Sequence, residues 1–243
     1  MAYVFDEIRL LGPPVTDGEY IALNDRETVH LHAYTRIYAV PGLYEYVVQQ
    51  RLGCVSPQVA AEGFLRALDR LGLDPGSMTV LDIGAGTGLV GELLRNAGTG
   101  RVVGVDALPA AREAGLRDRP GVYAGYLVGD FHDDRTLREA LRPFAPGGLV
   151  AAGAFGGTHA TPRALGNALA VLPPGAPVAF TVDERWLDPA DADGFGAAVE
   201  RMADDGSLVV LERTRFRHRV TTTGEPIHYQ LVVGHVPADI GVG

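Results

Sequence analysis

Between residues 79 and 182 the chain repeats one pattern, a short apolar run followed by a longer amphipathic stretch. The runs at 80–83, 102–105, 126–128, 149–152 and 178–182 are brief, rich in β-branched residues and bounded by Gly or Pro, which predicts buried strands. Between them, 89–96, 109–116, 135–142 and 162–172 carry helical spacing, and Pro109 and Pro162 suit first turns. Strand and helix in alternation predict a parallel sheet covered on both faces. A further helical stretch at 190–203 precedes Asp205-Gly206, then 208–220, a turn at Thr223-Gly224-Glu225, and 227–236. Two strands joined by such a turn close the sheet with an antiparallel pair. The expected fold is α/β, a mostly parallel seven-stranded sheet with a C-terminal antiparallel hairpin and helices on both faces.

Residues 1–72 break this rhythm. Six of the nine tyrosines fall here, at 3, 20, 34, 38, 44 and 46, and Gly12-Pro13-Pro14 and Pro41-Gly42 divide the segment. Residues 56–71 read as an amphipathic helix with Val59, Phe64, Leu65, Leu68 and Leu71 on its buried face. Pro57 sits just inside its start and Gly72 just past its end. Two parts are expected, a tyrosine-rich helical lid over 1–72 and a ligand-binding core over 73–243.

Composition narrows the function. At 243 residues and 47% hydrophobic the chain can build one full core. No apolar run reaches the roughly 18 residues that cross a bilayer. Asp6, Glu7 and Arg9 interrupt the stretch a signal peptide would need, so a soluble cytoplasmic protein without membrane partners is expected. Cys54 is the only cysteine, which excludes an internal disulfide and favours a small apolar role over a catalytic thiol. His30 and His32 alternate without a companion ligand, so no metal site is expected. The basic residues are 21 arginines and no lysine, which removes Schiff-base chemistry and suggests a GC-rich coding genome. A net charge of −9 argues against nucleic acid as partner. Arg213, Arg215, Arg217 and Arg219 alternate along one strand face, which reads as solvated.

The first strand runs into Gly84-x-Gly86-x-Gly88 and then a helix, a turn that lets a ligand approach the backbone. A phosphate-binding P-loop needs a lysine, and there is none. A dinucleotide fingerprint is met formally by Gly86-x-Gly88-x-x-Gly91, with Asp106 twenty residues past Gly86. Its register after the strand is two residues late, however, and Asp82 would repel a pyrophosphate while suiting a cationic sulfonium ligand. Gly129-Asp130-Phe131 ends the third strand, offering an acceptor and an aromatic face for adenine. Either aspartate alone reads equally as a helix cap; as a set with Asp82 they point to a ligand.

Asp82-x-Gly84-x-Gly86-x-Gly88, Val105-Asp106 and Gly129-Asp130-Phe131 together resemble the cofactor motifs of class I S-adenosylmethionine (SAM) dependent methyltransferases. Leu52-Gly53-Cys54-Val55-Ser56-Pro57, Leu89-Val90-Gly91, Gly121-Val122-Tyr123, Phe180 to Arg185 and Leu211-Glu212-Arg213-Thr214 are similar to the Williams–Beuren-region methyltransferase-like group. The chain departs from that group at Pro146-Gly147-Gly148, where a Phe-Asp pair is usual, and in Tyr34-Thr35 and Tyr44-Glu45, which only loosely match its Tyr-Asp dipeptides. The resemblance implies a Rossmann-like core that binds SAM and releases S-adenosylhomocysteine (SAH). It places the cofactor on Asp82, Gly84, Ala85, Gly86, Gly88, Asp106, Ala107, Gly129, Asp130, Phe131 and Ala154.

The acceptor belongs above the carboxyl ends of the strands. His159 at that rim is the candidate general base, with helix capping as its other reading. Phe155 walls the ligand or simply packs in the core, and Trp186 reaches the cleft or anchors structure. Tyr34 and Tyr38 share a helical face and fold over the cofactor or pack their helix down. The expected acceptor is a small molecule, methylated at oxygen, nitrogen or sulfur in secondary metabolism. A SAM-binding protein that transfers no methyl, and an NAD-linked oxidoreductase, are the rival readings.

Overall fold

The computed structural model describes residues 5–12, 18–24, 27–132, 134–156, 160–188 and 190–238. A three-stranded antiparallel sheet comes first, β1 (Arg9–Leu11), β2 (Tyr20–Asn24) and β3 (Glu27–His30). The helix α1 (Tyr34–Tyr38), a π-helix (Glu45–Arg51) and α2 (Ser56–Leu71) follow. Next alternate β4 (Thr79–Ile83), α3 (Leu89–Asn96), β5 (Arg101–Asp106), α4 (Pro109–Asp118) and β6 (Gly125–Val128). The alternation continues through α5 (Asp134–Leu141), β7 (Gly148–Phe155), α6 (Pro162–Leu169), β8 (Pro177–Asp183) and α7 (Phe195–Asp204). β9 (Val209–Val220) and β10 (Pro226–His235) form the closing hairpin.

The seven strands of the larger sheet lie in the order β6-β5-β4-β7-β8-β10-β9. β4, β5, β6, β7 and β8 pair in parallel, and β10 runs antiparallel to both β8 and β9. β4 and β8 are buried along their whole length, as strands covered on both faces must be. On one face Phe64 and Leu68 of α2 and Leu94 of α3 pack on Val80, Val150 and Leu231. On the other, Leu137, Leu165 and Phe195 from α5, α6 and α7 pack on Leu81, Leu149 and Phe180. Strand order reverses between β4 and β7, and that is where an open α/β sheet leaves a crevice for ligand.

The N-terminal part departs from the helical expectation. β1, β2 and β3 form the small sheet, whose Ile21, Leu23 and Val29 bury with Ile37, Leu43 and Val47 in a core of their own. The strands have three to five residues, too few for a period to declare itself. The helix α2, grouped by sequence with the lid, packs instead on the seven-stranded sheet. The helix expected from 190 begins only at Phe195, because Asp188 and Asp191 bind the N–H groups of Ala190 and Asp193 in side-chain turns.

Two seams attach the N-terminal part to β9. The N–H of Val55 donates to the carbonyl of His218 at 2.9 Å, and the N–H of Val220 to that of Leu52 at 2.9 Å. Glu19 receives both Arg219 Nη1 and Nη2, at 2.8 and 2.5 Å, and the N–H of Thr222 at 2.9 Å. Arg219, expected on a solvated face, is only 6% exposed. The small sheet covers this end of β9, a contact that strand periodicity cannot reveal.

Candidate active site

The loop after β4 turns on glycines with positive φ: Gly84 at 66° and Gly86 at 53°. A β-carbon on Gly84 would lie 2.7 Å from that of Ala154, so the backbones of β4 and β7 approach here as no larger residue permits. The N–H of Gly86 donates to Asp106 Oδ2 at 3.0 Å, and that of Leu108 to Oδ1 at 3.0 Å. One carboxylate at the end of β5 thus holds two backbones together. Tyr126 Oη donates to the Gly86 carbonyl at 2.7 Å. From above, Thr87 Oγ1 donates to Glu45 Oε1 at 2.6 Å, and Arg119 Nη1 reaches the same oxygen at 2.7 Å.

Beside this loop a cleft of about 980 Å³ opens at the carboxyl ends of β4 to β7. Its floor includes Ile83, Gly84, Asp106 and Ala107, with Gly129, Asp130 and Phe131 at the end of β6. Ala154 and Phe155 of β7 close one side, and Tyr34, Tyr38 and Tyr44 stand over it. Tyr34 and Tyr38 stack at 5.6 Å, and Tyr38 meets Tyr44 edge-on at 5.4 Å. Burial pushes the Tyr34 hydroxyl up to about 12, so this roof is uncharged at neutral pH. Phe155 lines the cleft and packs against Phe180 and Phe195. His132, itself exposed, also lines the cleft and meets Thr161 Oγ1 at 2.9 Å.

Five expected positions lie elsewhere. Asp82 is fully buried and accepts Tyr123 Oη at 2.8 Å; burial raises its carboxyl to about 7. Side chains alternate along a strand, and with Ile83 on the cleft side Asp82 must point to the opposite face. Ala85, Gly86 and Gly88 shape the loop without walling the cleft: Gly86 lies under Tyr38 Oη, and Gly88 against Tyr123 and Arg119. Trp186 is 43% exposed and packs over Gly156, outside the cleft. His159 lies outside the described residues.

A second space, which the sequence gave no sign of, adjoins the first. About 70 Å³ is lined by Cys54, Ser56, His218, Arg219 and Tyr229, and Tyr34, Tyr44, Ala152 and Gly153 wall both spaces. Ser56 Oγ lies 2.6 Å from His218 Nδ1, Cys54 Sγ lies 3.7 Å from the same nitrogen, and the imidazole stacks on Tyr229 at 3.9 Å. Burial drives His218 down to about 3, leaving a neutral ring. These residues come from α2's start and the C-terminal hairpin, more than 160 positions apart. Nothing in local pattern marks them. β7 carries a register shift between Ala151 and Phe155 where it borders both spaces, the kind of bulge that re-aims a strand beside a site.

The residues present suit a nucleoside cofactor with a charged amino-acid tail. Asp106 and Asp130 bring carboxylate oxygens to the cleft, acceptors of the kind that ribose hydroxyls and an adenine amino group pair with. Glu45 Oε2, buried beside the glycine loop, has no partner among the described residues, and an ammonium group would satisfy it.

The profile of the methyltransferase domain family matches residues 57–237. No curated protein matches the sequence. Among solved structures, the proposed RNA methyltransferase PH1948 from Pyrococcus horikoshii aligns with a TM-score of 0.55 at 18% identity, covering 76% of this chain and 87% of that one. The N-methyltransferase NodS from Bradyrhizobium japonicum, solved with S-adenosyl-L-homocysteine, aligns at 0.54 and 14% identity over 85% and 98% of the two chains. The CurJ carbon methyltransferase aligns at 0.54 and 14%, over 80% and 58%. These likenesses are of fold, and they agree with strand order and family match: the chain belongs to the methyltransferase domain family, a class I methyltransferase enzyme with SAM as its cofactor.

Proposed function

We propose that the enzyme methylates a small-molecule acceptor held beneath the tyrosine roof. The observation that carries this reading is the cleft itself: about 980 Å³, covered by aromatic rings. Pockets for small ligands run to roughly 1,000 Å³, and a covered site of that size suits a cofactor with a small companion. A net charge of −9 would repel a phosphate backbone, which weighs against RNA.

The cofactor supplies an electrophilic methyl group on positively charged sulfur. Asp106 and Asp130 offer acceptors for its ribose and adenine, Phe131 a face for the base, and Gly84 an approach to backbone. Tyr34, Tyr38 and Tyr44 exclude water and hold the acceptor against the methyl side, which is the alignment such a displacement requires. We keep His159 as the base for an acceptor that must lose a proton: His159→Ala should lower turnover with SAH affinity unchanged, and full turnover in that variant removes the assignment. Within the family we place the chain beside the Williams–Beuren-region group on the strength of the 52–57 segment and its companion motifs. A tailoring role in secondary metabolism, at oxygen, nitrogen or sulfur, completes the reading.

The deciding experiment offers methyl-labelled SAM with extracts of candidate metabolites and, separately, total RNA. Label should enter small molecules. Label in RNA and in no small molecule overturns the acceptor class. Label in neither, with SAM bound, supports a SAM-binding protein without transfer.

A further inference from the structure

A recess lined by polar side chains beside a ligand cleft favours a polar group of the ligand, because a desolvated polar group needs a partner. The space behind Tyr34 and Tyr44 holds about 70 Å³, and Ser56, His218, Arg219 and Tyr229 bring polar atoms to its wall. One water needs about 10–15 Å³ and a benzene ring has been accommodated in roughly 150 Å³, so this chamber suits a functional group and not a whole ring. It borders the cofactor cleft at Ala152 and Gly153, on the carboxyl side of the sheet. A molecule lying in the cleft can therefore send one group into it.

We propose that this chamber seats the acceptor's polar group, and that the group it takes is uncharged: an alcohol, a phenol or a neutral amine, met by His218 and Ser56. The inference rests on the methyltransferase reading and specifies its acceptor.

The charge pattern selects the class. Arg219 is the cation on the wall, and Glu19 already holds it through two hydrogen bonds, with the Val220 carbonyl accepting a third at 2.9 Å. No net positive charge remains to attract a carboxylate or phosphate. Asp183, the carboxylate nearest in register to Tyr229, is in turn held by Arg185 at 2.6 Å, so an ammonium finds no free counter-ion there. What is left is neutral hydrogen bonding. His218 is fixed by Ser56 on one nitrogen and by the Tyr229 ring on its face, a pre-set orientation of the kind binding sites need.

The test uses the full chain saturated with SAH and three probes of one ring size, phenol, benzoate and benzylamine, followed by ligand-observed NMR. Phenol should bind at least about tenfold more tightly than either ion, since a buried charge without a partner forfeits more than one hydrogen bond. Cys54→Leu fills the chamber and His218→Leu removes its polar wall; each should weaken phenol by about tenfold and leave SAH affinity unchanged. Ser56→Ala is the gentler variant, and a several-fold loss there supports the assignment where the others fail to fold. Phenol affinity unchanged in the folded variants overturns it, as does preference for benzoate or benzylamine, or no probe bound by a chain that holds SAH. Failure of the wild-type chain to bind SAH strikes the methyltransferase reading, and the chamber assignment falls with it.

Discussion

Two buried titratable residues, Asp82 and His218, give opposite pH signatures. Asp82 holds its proton more tightly folded than unfolded, so raising pH from about 4 to about 7 ionises the unfolded chain first and costs stability. Asp82→Asn should abolish that slope and melt higher than the parent at pH 7.5, by up to about 4 kcal/mol, with the two converging near pH 4. Convergence absent, or a parent that is the more stable at pH 7.5, contradicts an Asp82 carboxyl raised by burial. His218 holds its proton less tightly folded than unfolded, so stability is full above about 6.5 and lost as pH falls toward 3. Denaturant titrations of His218→Gln should show a flatter acid limb between those values; an unchanged limb removes His218 from the cause. At Gly84, an alanine would meet the Ala154 methyl at 2.7 Å with φ at 66°. Gly84→Ala should lose about 1–3 kcal/mol, and a parental melting temperature would mean the strands do not approach that closely.

Among elements, the hairpin's far end and the small N-terminal sheet depend on each other. The Glu19–Arg219 pair is the one ionic link in that seam among the described residues, with side chains 18% and 7% exposed. Removing one partner of a buried pair strands the other charge and commonly costs about 3–5 kcal/mol. Partial exposure of Glu19 puts Glu19→Gln nearer the lower figure. Limited proteolysis should then cut ahead of α1 sooner than in the parent, while the seven-stranded core stays resistant; equal cleavage rates would show that the Leu52–Val55 pairing suffices. The five parallel strands were legible because each declares itself by an apolar run with a glycine or proline at its edge, and the closing pair because a glycine turn joins its two strands. The small sheet was not, since strands as short as Arg9–Leu11 fold only against the helix pair that buries them.

For the whole molecule, cofactor binding is the global readout. A ligand that binds only the folded state stabilises it by about 2.7 kcal/mol at a hundredfold excess over its Kd. SAH should raise the melting temperature accordingly and NAD should leave it in place. The reverse result would restore the dinucleotide reading that Gly86, Gly88 and Gly91 formally satisfy. No helix among the described residues is long and apolar enough to cross a membrane.

Sequence by itself determined the glycine loop, its acidic company at Asp106 and Asp130, and the parallel sheet with its closing hairpin, because each follows from spacing along the chain. It also picked Tyr34 and Tyr38 out as a pair. Tertiary structure alone decided which way Asp82 faces, since alternation sends neighbouring side chains to opposite sides and only the packed sheet shows which side carries the cleft. It alone buried Arg219, and it alone brought Ser56 to His218. Residues so far apart in the chain meet through the fold's long-range contacts, and no local periodicity records such a meeting.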